Sequence, residues 1–274
     1  MADQSDKPLS LAHLSELDVP PAELIELAAR AGFASVGLRT TAAVPGGVEY
    51  PLRSAAAQVE LRRRMAATGV SVLYIEMVSL SEATEVAAYR PMLETGAAIG
   101  ATRMAVAGDS PDLTIVAERM AAMCDLAREY GIAVDLEFMP FRPVRSFADA
   151  AEVVRLAGRP NAHILIDALH VFRSGSSLEE IAKADPRMLG TFQICDAPIE
   201  APPPDQLVIE ARTRRLLPGH GGLPLRALIE ALPADIPVGV EVPLASQHPE
   251  LDPVARLAKL GNATRDYLKQ RSNA

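Results

Sequence analysis

Short apolar runs suited to buried strands recur eight times along this chain, each followed by a longer segment of helical period. The runs fall at 9–14, 33–40, 71–80, 103–110, 133–140, 163–170, 190–198 and 236–243, and the helical segments at 21–32, 56–69, 85–100, 113–131, 147–158, 178–184, 223–232 and 251–270. A strand covered on both faces reads as a continuous apolar run, and parallel strands need a crossover helix between them. Eight consecutive βα units of this size predict an α/β protein, a single (β/α)8 TIM barrel over residues 1–274. A doubly wound open sheet is the alternative, but no glycine-rich fingerprint follows the first strand to cradle a pyrophosphate. Gly32, Gly69, Gly100, Gly131 and Gly158 stand just past helical segments, where a left-handed C-cap favours a residue without Cβ. Pro20 and Pro21 suit the first turn of the first helix, and the proline-rich stretch 200–205 reads as a loop within the barrel.

Composition narrows the classes of function. A net charge of −8 gives no electrostatic footprint for a polyanion, so nucleic acid is excluded as a partner. Cys124 and Cys195 are too few for a disulfide framework and fit a reducing cytosol. The opening MADQSDKPLS lacks the basic end and apolar stretch of a signal peptide, and no run approaches the ~18 apolar residues of a membrane span. The expected location is cytoplasmic, with no membrane partner.

Barrel chemistry collects at the C-terminal ends of the strands. There the fifth run carries Glu137, the sixth Asp167 with His170 three residues on, the seventh Gln193 and Asp196, and the eighth Glu241. Carboxylates clustered without a counter-charge would cost several kcal/mol apiece or take up protons. Apart from Arg173, these strand ends lack Lys and Arg, so one divalent metal ion is the expected cation. Glu137, Asp167, Gln193 and Glu241 form an all-oxygen set that suits Mn2+, Mg2+ or Co2+ better than Zn2+, which remains admissible. Two coordination positions would stay open for neighbouring oxygens of a substrate. Asp135 reads as an inward structural residue with a polar partner, His163 as structural, and Cys195 as a small core residue without an activating neighbour.

The order Glu137, Asp167 with His170, Gln193 and Glu241 on strands five to eight resembles the xylose isomerase-like TIM-barrel superfamily across nearly the whole chain. The resemblance implies that those four residues bind the metal and that His170, in Asp-Ala-Leu-His, contacts substrate. It further implies that Glu137 and Glu241 exchange protons with the substrate carbon from opposite faces, which makes Glu137, Glu241 and His170 the catalytic candidates. Gln193 stands where many ketose epimerases carry His and is similar to hydroxypyruvate isomerase and the dehydratases. The segment RRLLPGHGGLPL resembles the family's Arg…Pro-Gly-Glu-Gly loop with His220 in place of the acid. The superfamily's AP endonuclease branch, with its His-rich three-metal cluster, does not fit five histidines and an acidic chain.

The leading expectation is a metal-dependent isomerase or epimerase that removes the proton beside the carbonyl of a polyhydroxylated keto-sugar or sugar-derived substrate. The alternatives are a dehydratase of the 3-dehydroshikimate or inosose type and, from another class, a non-catalytic sugar-binding or partner-subunit barrel. Arg173 follows the Asp167 strand within one turn of His170 and is expected to bind an anionic group of the substrate. Arg142, Arg212, Arg214 and Arg215 read as solvated surface. His13, Arg39, Glu76 and Asp109 are expected to line the other half of the pocket, and His220 is a further substrate-binding candidate that, like His170, could protonate a departing hydroxyl. Related barrels are often dimers or tetramers, so a homo-oligomer is expected.

Overall fold

A computed structural model describes residues 7–44 and 46–270. Met1–Asp6, part of the segment compared above with a signal peptide, lie outside the described residues. The strands close into a parallel barrel in sequence order. They are β1 (Leu9–Leu11), β2 (Ser35–Arg39), β3 (Ser71–Leu80), β4 (Arg103–Gly108), β5 (Ala133–Glu137), β6 (Ala162–Asp167), β7 (Leu189–Ile194) and β8 (Val238–Val240). Closure is through β8 and β1, where Leu9 pairs with Val238 and Leu11 with Val240.

The surrounding helices are α1 (Pro21–Arg30), α2 (Ala55–Thr68), α3 (Arg90–Ala98), α4 (Leu113–Arg128), α5 (Phe147–Ala157), α6 (Ala168–Ser174), α7 (Leu178–Lys183), α8 (Leu207–Thr213), α9 (Leu225–Ala231) and α10 (Pro253–Lys269). Local signals set their ends. Asp112 caps α4, and Ser146 with Asp149 forms a reciprocal capping box on α5 that satisfies backbone N–H groups lacking intrahelical partners. All five glycines read as helix terminators have positive φ, Gly158 at 58° and Gly69 at 76° among them. No helix among the described residues is long and apolar enough to cross a membrane.

Two differences from the sequence expectation matter for the site. The sixth strand stops at Asp167, and His170 lies in the first turn of α6, not at a strand end. The cause is local: Asp167 Oδ1 accepts the His170 N–H at 3.1 Å and caps a helix that the apolar run had hidden. A further helix, α8, fills the stretch after the proline-rich loop, which carries only one short 3-10 turn at Pro204–Gln206.

Leu, Ile and Val side chains of the strands pack outward against the helices, while polar residues occupy the barrel interior. Low in that interior Asp135 takes two hydrogen bonds from Arg103, each 2.7 Å, and one from Thr191 at 2.7 Å. This satisfies the expected structural role of Asp135. Midway up, the Tyr74 ring fills the space beside Gly37, where a Cβ would stand 2.1 Å from the ring.

Candidate active site

The register of β5 to β8 lifts Glu137, Asp167, Gln193 and Glu241 to the same end of the barrel, with Asp167 directly paired to Gln193. All four are buried. Ligand atoms of Glu137, Asp167 and His170 lie within 4.8 Å of one another, and His170 Nε2 stands 3.5 Å from Glu137 Oε1. Gln193 Nε2 donates to the Tyr74 hydroxyl at 3.1 Å and stands 3.5 Å from Glu241 Oε1. Glu137, Asp167 and His170 thus form one close group, and Gln193 and Glu241 form a pair beside it at the same end of the barrel.

The premise that these strand ends lack a strong cation is corrected. Arg215 is fully buried and donates to Asp167 Oδ2 at 2.6 Å, and its other terminal nitrogen stands 2.9 Å from Glu241 Oε2. Its Nε donates to the Ala211 carbonyl at 2.7 Å, so helix α8 delivers it. Nothing local in RTRRLLPGHGG distinguishes Arg215 from Arg212 and Arg214, which are exposed. The segment's likeness to the family's Arg…Pro-Gly loop was the available signal. Tyr74 was also missed, since one tyrosine in an apolar run reads as core.

With all three carboxylates ionised, the single guanidinium would leave a deficit of two positive charges, and without a further cation the groups respond by holding protons. Burial, with Glu241 and Asp167 beside it, pushes the Glu137 carboxyl well above the usual carboxylate range. Burial also raises Glu241, to about 7, against the pull of Arg215. Burial acts to raise Asp167 as well, but Arg215 and the His170 N–H outweigh it and hold this group low. Burial lowers the His170 imidazole to about 4, so it is neutral at physiological pH. Gln193 Oε1 and His170 Nδ1 are buried without a hydrogen-bond partner. A charge deficit of two beside an unsatisfied carbonyl oxygen fits a divalent cation with oxygen ligands.

The expected opposite half of the pocket is different. His13 is completely buried, with Nε2 bonded to the Val19 carbonyl at 2.9 Å and Nδ1 accepting the Arg39 N–H at 2.9 Å. Both ring nitrogens are thereby used, and its assignment to substrate is corrected to a structural one. Arg39 and Glu76 close on each other at 2.9 and 3.0 Å. The fork of Arg173 is taken by Glu210, at 2.8 Å from each oxygen, and by the Pro198 carbonyl at 2.7 Å. It is thus a strut between α6 and α8 and not a free anion-binding residue. Asp109 pairs with Arg142 at 3.2 Å, and His220 is exposed on the loop after Arg215. Asp196 binds that loop and does not touch the carboxylate cluster. In the positions left over, Met77, Ala107 and Met139 form a small apolar cluster with Phe141, whose ring meets His170 edge-on at 5.5 Å.

The description "Xylose isomerase-like TIM barrel" matches residues 25–262 of the chain. The inosose isomerase of Bacillus velezensis is 32% identical over 118 residues, which is 42% of this chain and 40% of that protein. Among solved structures, the IolI protein with a bound zinc atom superposes with a TM-score of 0.79 at 19% identity, covering 95% of this chain and 98% of that one. D-psicose 3-epimerase, solved in the presence of D-fructose, gives 0.72 at 15% identity, covering 96% of this chain and 100% of the other. The closed eight-stranded barrel and the match over most of its length place this chain in the xylose isomerase-like TIM barrel family.

Proposed function

We propose that the chain is a divalent-metal-dependent isomerase or epimerase of an uncharged polyhydroxylated ketone, a cyclic inosose or a keto-sugar. The observation that carries this reading is the buried set Glu137, Asp167, Gln193 and Glu241, which with Arg215 is two positive charges short of neutrality when its three carboxylates are ionised, with Gln193 Oε1 unsatisfied. The partial match to inosose isomerase supports the substrate class.

Glu137, Asp167, Gln193 and Glu241 would hold the ion, with His170 adjacent. Bound there, it supplies Lewis acidity toward a carbonyl oxygen. Glu137 and Glu241 hold and move the proton beside that carbonyl. Burial raises both carboxyl groups, Glu241 to about 7, where a carboxyl accepts and returns protons more evenly than an exposed one does. Neutral His170, its ring fixed by Phe141 and its Nδ1 unpartnered, is placed to exchange a hydrogen bond with a substrate hydroxyl. Arg215 holds Asp167 and Glu241 in place and keeps Asp167 ionised. The preference for an uncharged substrate follows from Arg39, Arg142, Arg173 and Arg215 each being paired with a carboxylate. A phosphate or carboxylate would have to break one of those pairs.

The test is 1H NMR in D2O with inososes and keto-sugars, using protein loaded with Mn2+, Co2+ or Mg2+ and protein treated with EDTA. Deuterium entering the position beside the carbonyl, only in the loaded sample, is expected. A new vinylic signal would assign dehydration instead. Exchange at the same rate after rigorous metal removal, or none with any substrate, would overturn the reading.

A further inference from the structure

Asp196 stands two residues past the end of β7, buried, and its carboxylate meets no cationic side chain among the described interactions. It accepts four backbone N–H groups instead. Oδ1 takes Ala197 at 2.8 Å and Leu223 at 3.1 Å, and Oδ2 takes Gly219 at 3.0 Å and Gly221 at 2.9 Å. The backbone of the same residue exchanges two hydrogen bonds with Leu216, of 2.8 and 2.7 Å. Gly222 N–H adds a bond of 2.8 Å to the Ala197 carbonyl. The approach is so close that a Cβ on Gly221 would stand 2.3 Å from both the Ala197 carbonyl oxygen and Asp196 Oδ1. Asp196 thus fastens the turn at both ends, its backbone holding Leu216 and its carboxylate holding Gly219, Gly221 and Leu223, and the residue preceding that turn is Arg215.

We infer that Asp196 is a positioning residue for the active site: by clamping the 216–223 turn it fixes where the Arg215 guanidinium sits between Asp167 and Glu241. Two acceptor oxygens are needed for this. Asparagine keeps the shape but offers one acceptor oxygen, so its NH2 group would face one of the two pairs of N–H donors. Released at that end, Arg215 would lose the geometry that lets one side chain satisfy two carboxylates, and the cluster would be left with less positive charge. The metal consequence rests on the function proposed above; the placement of Arg215 does not.

The test compares the wild type with Asp196→Asn and with Gly221→Ala, which lifts the turn sterically while leaving the carboxylate in place. In 15N spectra of arginine side chains, the Arg215 Nε–H signal is identified by its disappearance in Arg215→Gln. It should be slowly exchanging in the wild type and lost or broadened in both turn variants, while the Arg103 signal, held by Asp135, persists. Mn2+ should bind at least about fivefold tighter to metal-free Asp196→Asn than to the wild type, and the same substitution made on Arg215→Gln should change binding less than about twofold. An unchanged Arg215 signal in a variant whose Gly219 and Gly221 amides exchange freely would overturn the inference. So would an equal change in Mn2+ affinity in both backgrounds. Wild type that binds no Mn2+ would defeat the proposed function, and the arginine spectra would still decide the role of Asp196.

Discussion

Replacing Arg215 by Gln removes the one positive charge that touches two of the three clustered carboxylates. Breaking a buried ion pair from one side costs about 3–5 kcal/mol, because the remaining charge stays buried and uncompensated. With an unfolding entropy of ~2.1 cal/mol/K per residue, 274 residues give about 0.6 kcal/mol/K. A loss of ~4 kcal/mol then lowers the melting temperature of metal-free protein by about 7 °C. A divalent ion at a hundred times its dissociation constant returns ~2.7 kcal/mol to the wild type, or about 5 °C. The same concentration should return more to Arg215→Gln, whose carboxylates lack a competing cation; tenfold tighter binding would give ~4.1 kcal/mol, about 7 °C.

The pH dependence has a definite sign. The Glu137 carboxyl is raised in the folded state, so the stability it contributes is present below its unfolded value and lost as pH rises through the folded one. His170, lowered to about 4, is neutral in both states above pH 7 and cannot offset that loss. The Glu241 carboxyl, raised to about 7, has the same sign, so metal-free protein should melt lower as pH rises through about 7, and added metal should reverse the trend, because deprotonated ligands bind it best. Differential scanning calorimetry of both proteins, with EDTA and with Mn2+, measures all of this. A metal-free Arg215→Gln melting within 1 °C of the wild type would refute the charge accounting, and no metal-induced shift in either protein would refute the metal site.

Glu137→Gln and Glu241→Gln, loaded with metal, should bind substrate yet turn over about 10²–10⁴-fold more slowly, since an amide oxygen can coordinate but cannot take a proton at neutral pH; wild-type exchange rates in D2O for both would remove the glutamates as bases. Asp135→Ala should cost about 3–5 kcal/mol of stability by stranding Arg103, read from urea unfolding, with metal affinity per folded molecule unchanged. Cys124 and Cys195 are buried, and burial pushes both thiols up to about 12, so neither should react with a thiol reagent at pH 8 until the protein unfolds. Rapid labelling of native protein would contradict that environment.

The barrel and the carboxylate end of it were legible in the sequence because both are written in short-range patterns. Strand and helix periods repeat within a few residues, glycine terminators sit at fixed offsets, and an oxygen-bearing side chain at the end of each of strands β5 to β8 lands at one height once the strands are parallel and in register. The place of His170 was nearly legible, yet the Asp167 cap that starts α6 competes with strand continuation, and the apolar run could not show which prevails. The partners of the charges were decided only by tertiary structure. Arg173 and Arg215 are both arginines near strand ends, but Glu210 on α8 claims the first, while the turn held by Asp196 and the start of that turn's approach from α8 bring the second to Asp167 and Glu241. Those pairs join residues 37 and 48 positions apart. Their formation depends on where loops of unlike length bring the guanidinium groups in space, a quantity that no periodicity along the chain records.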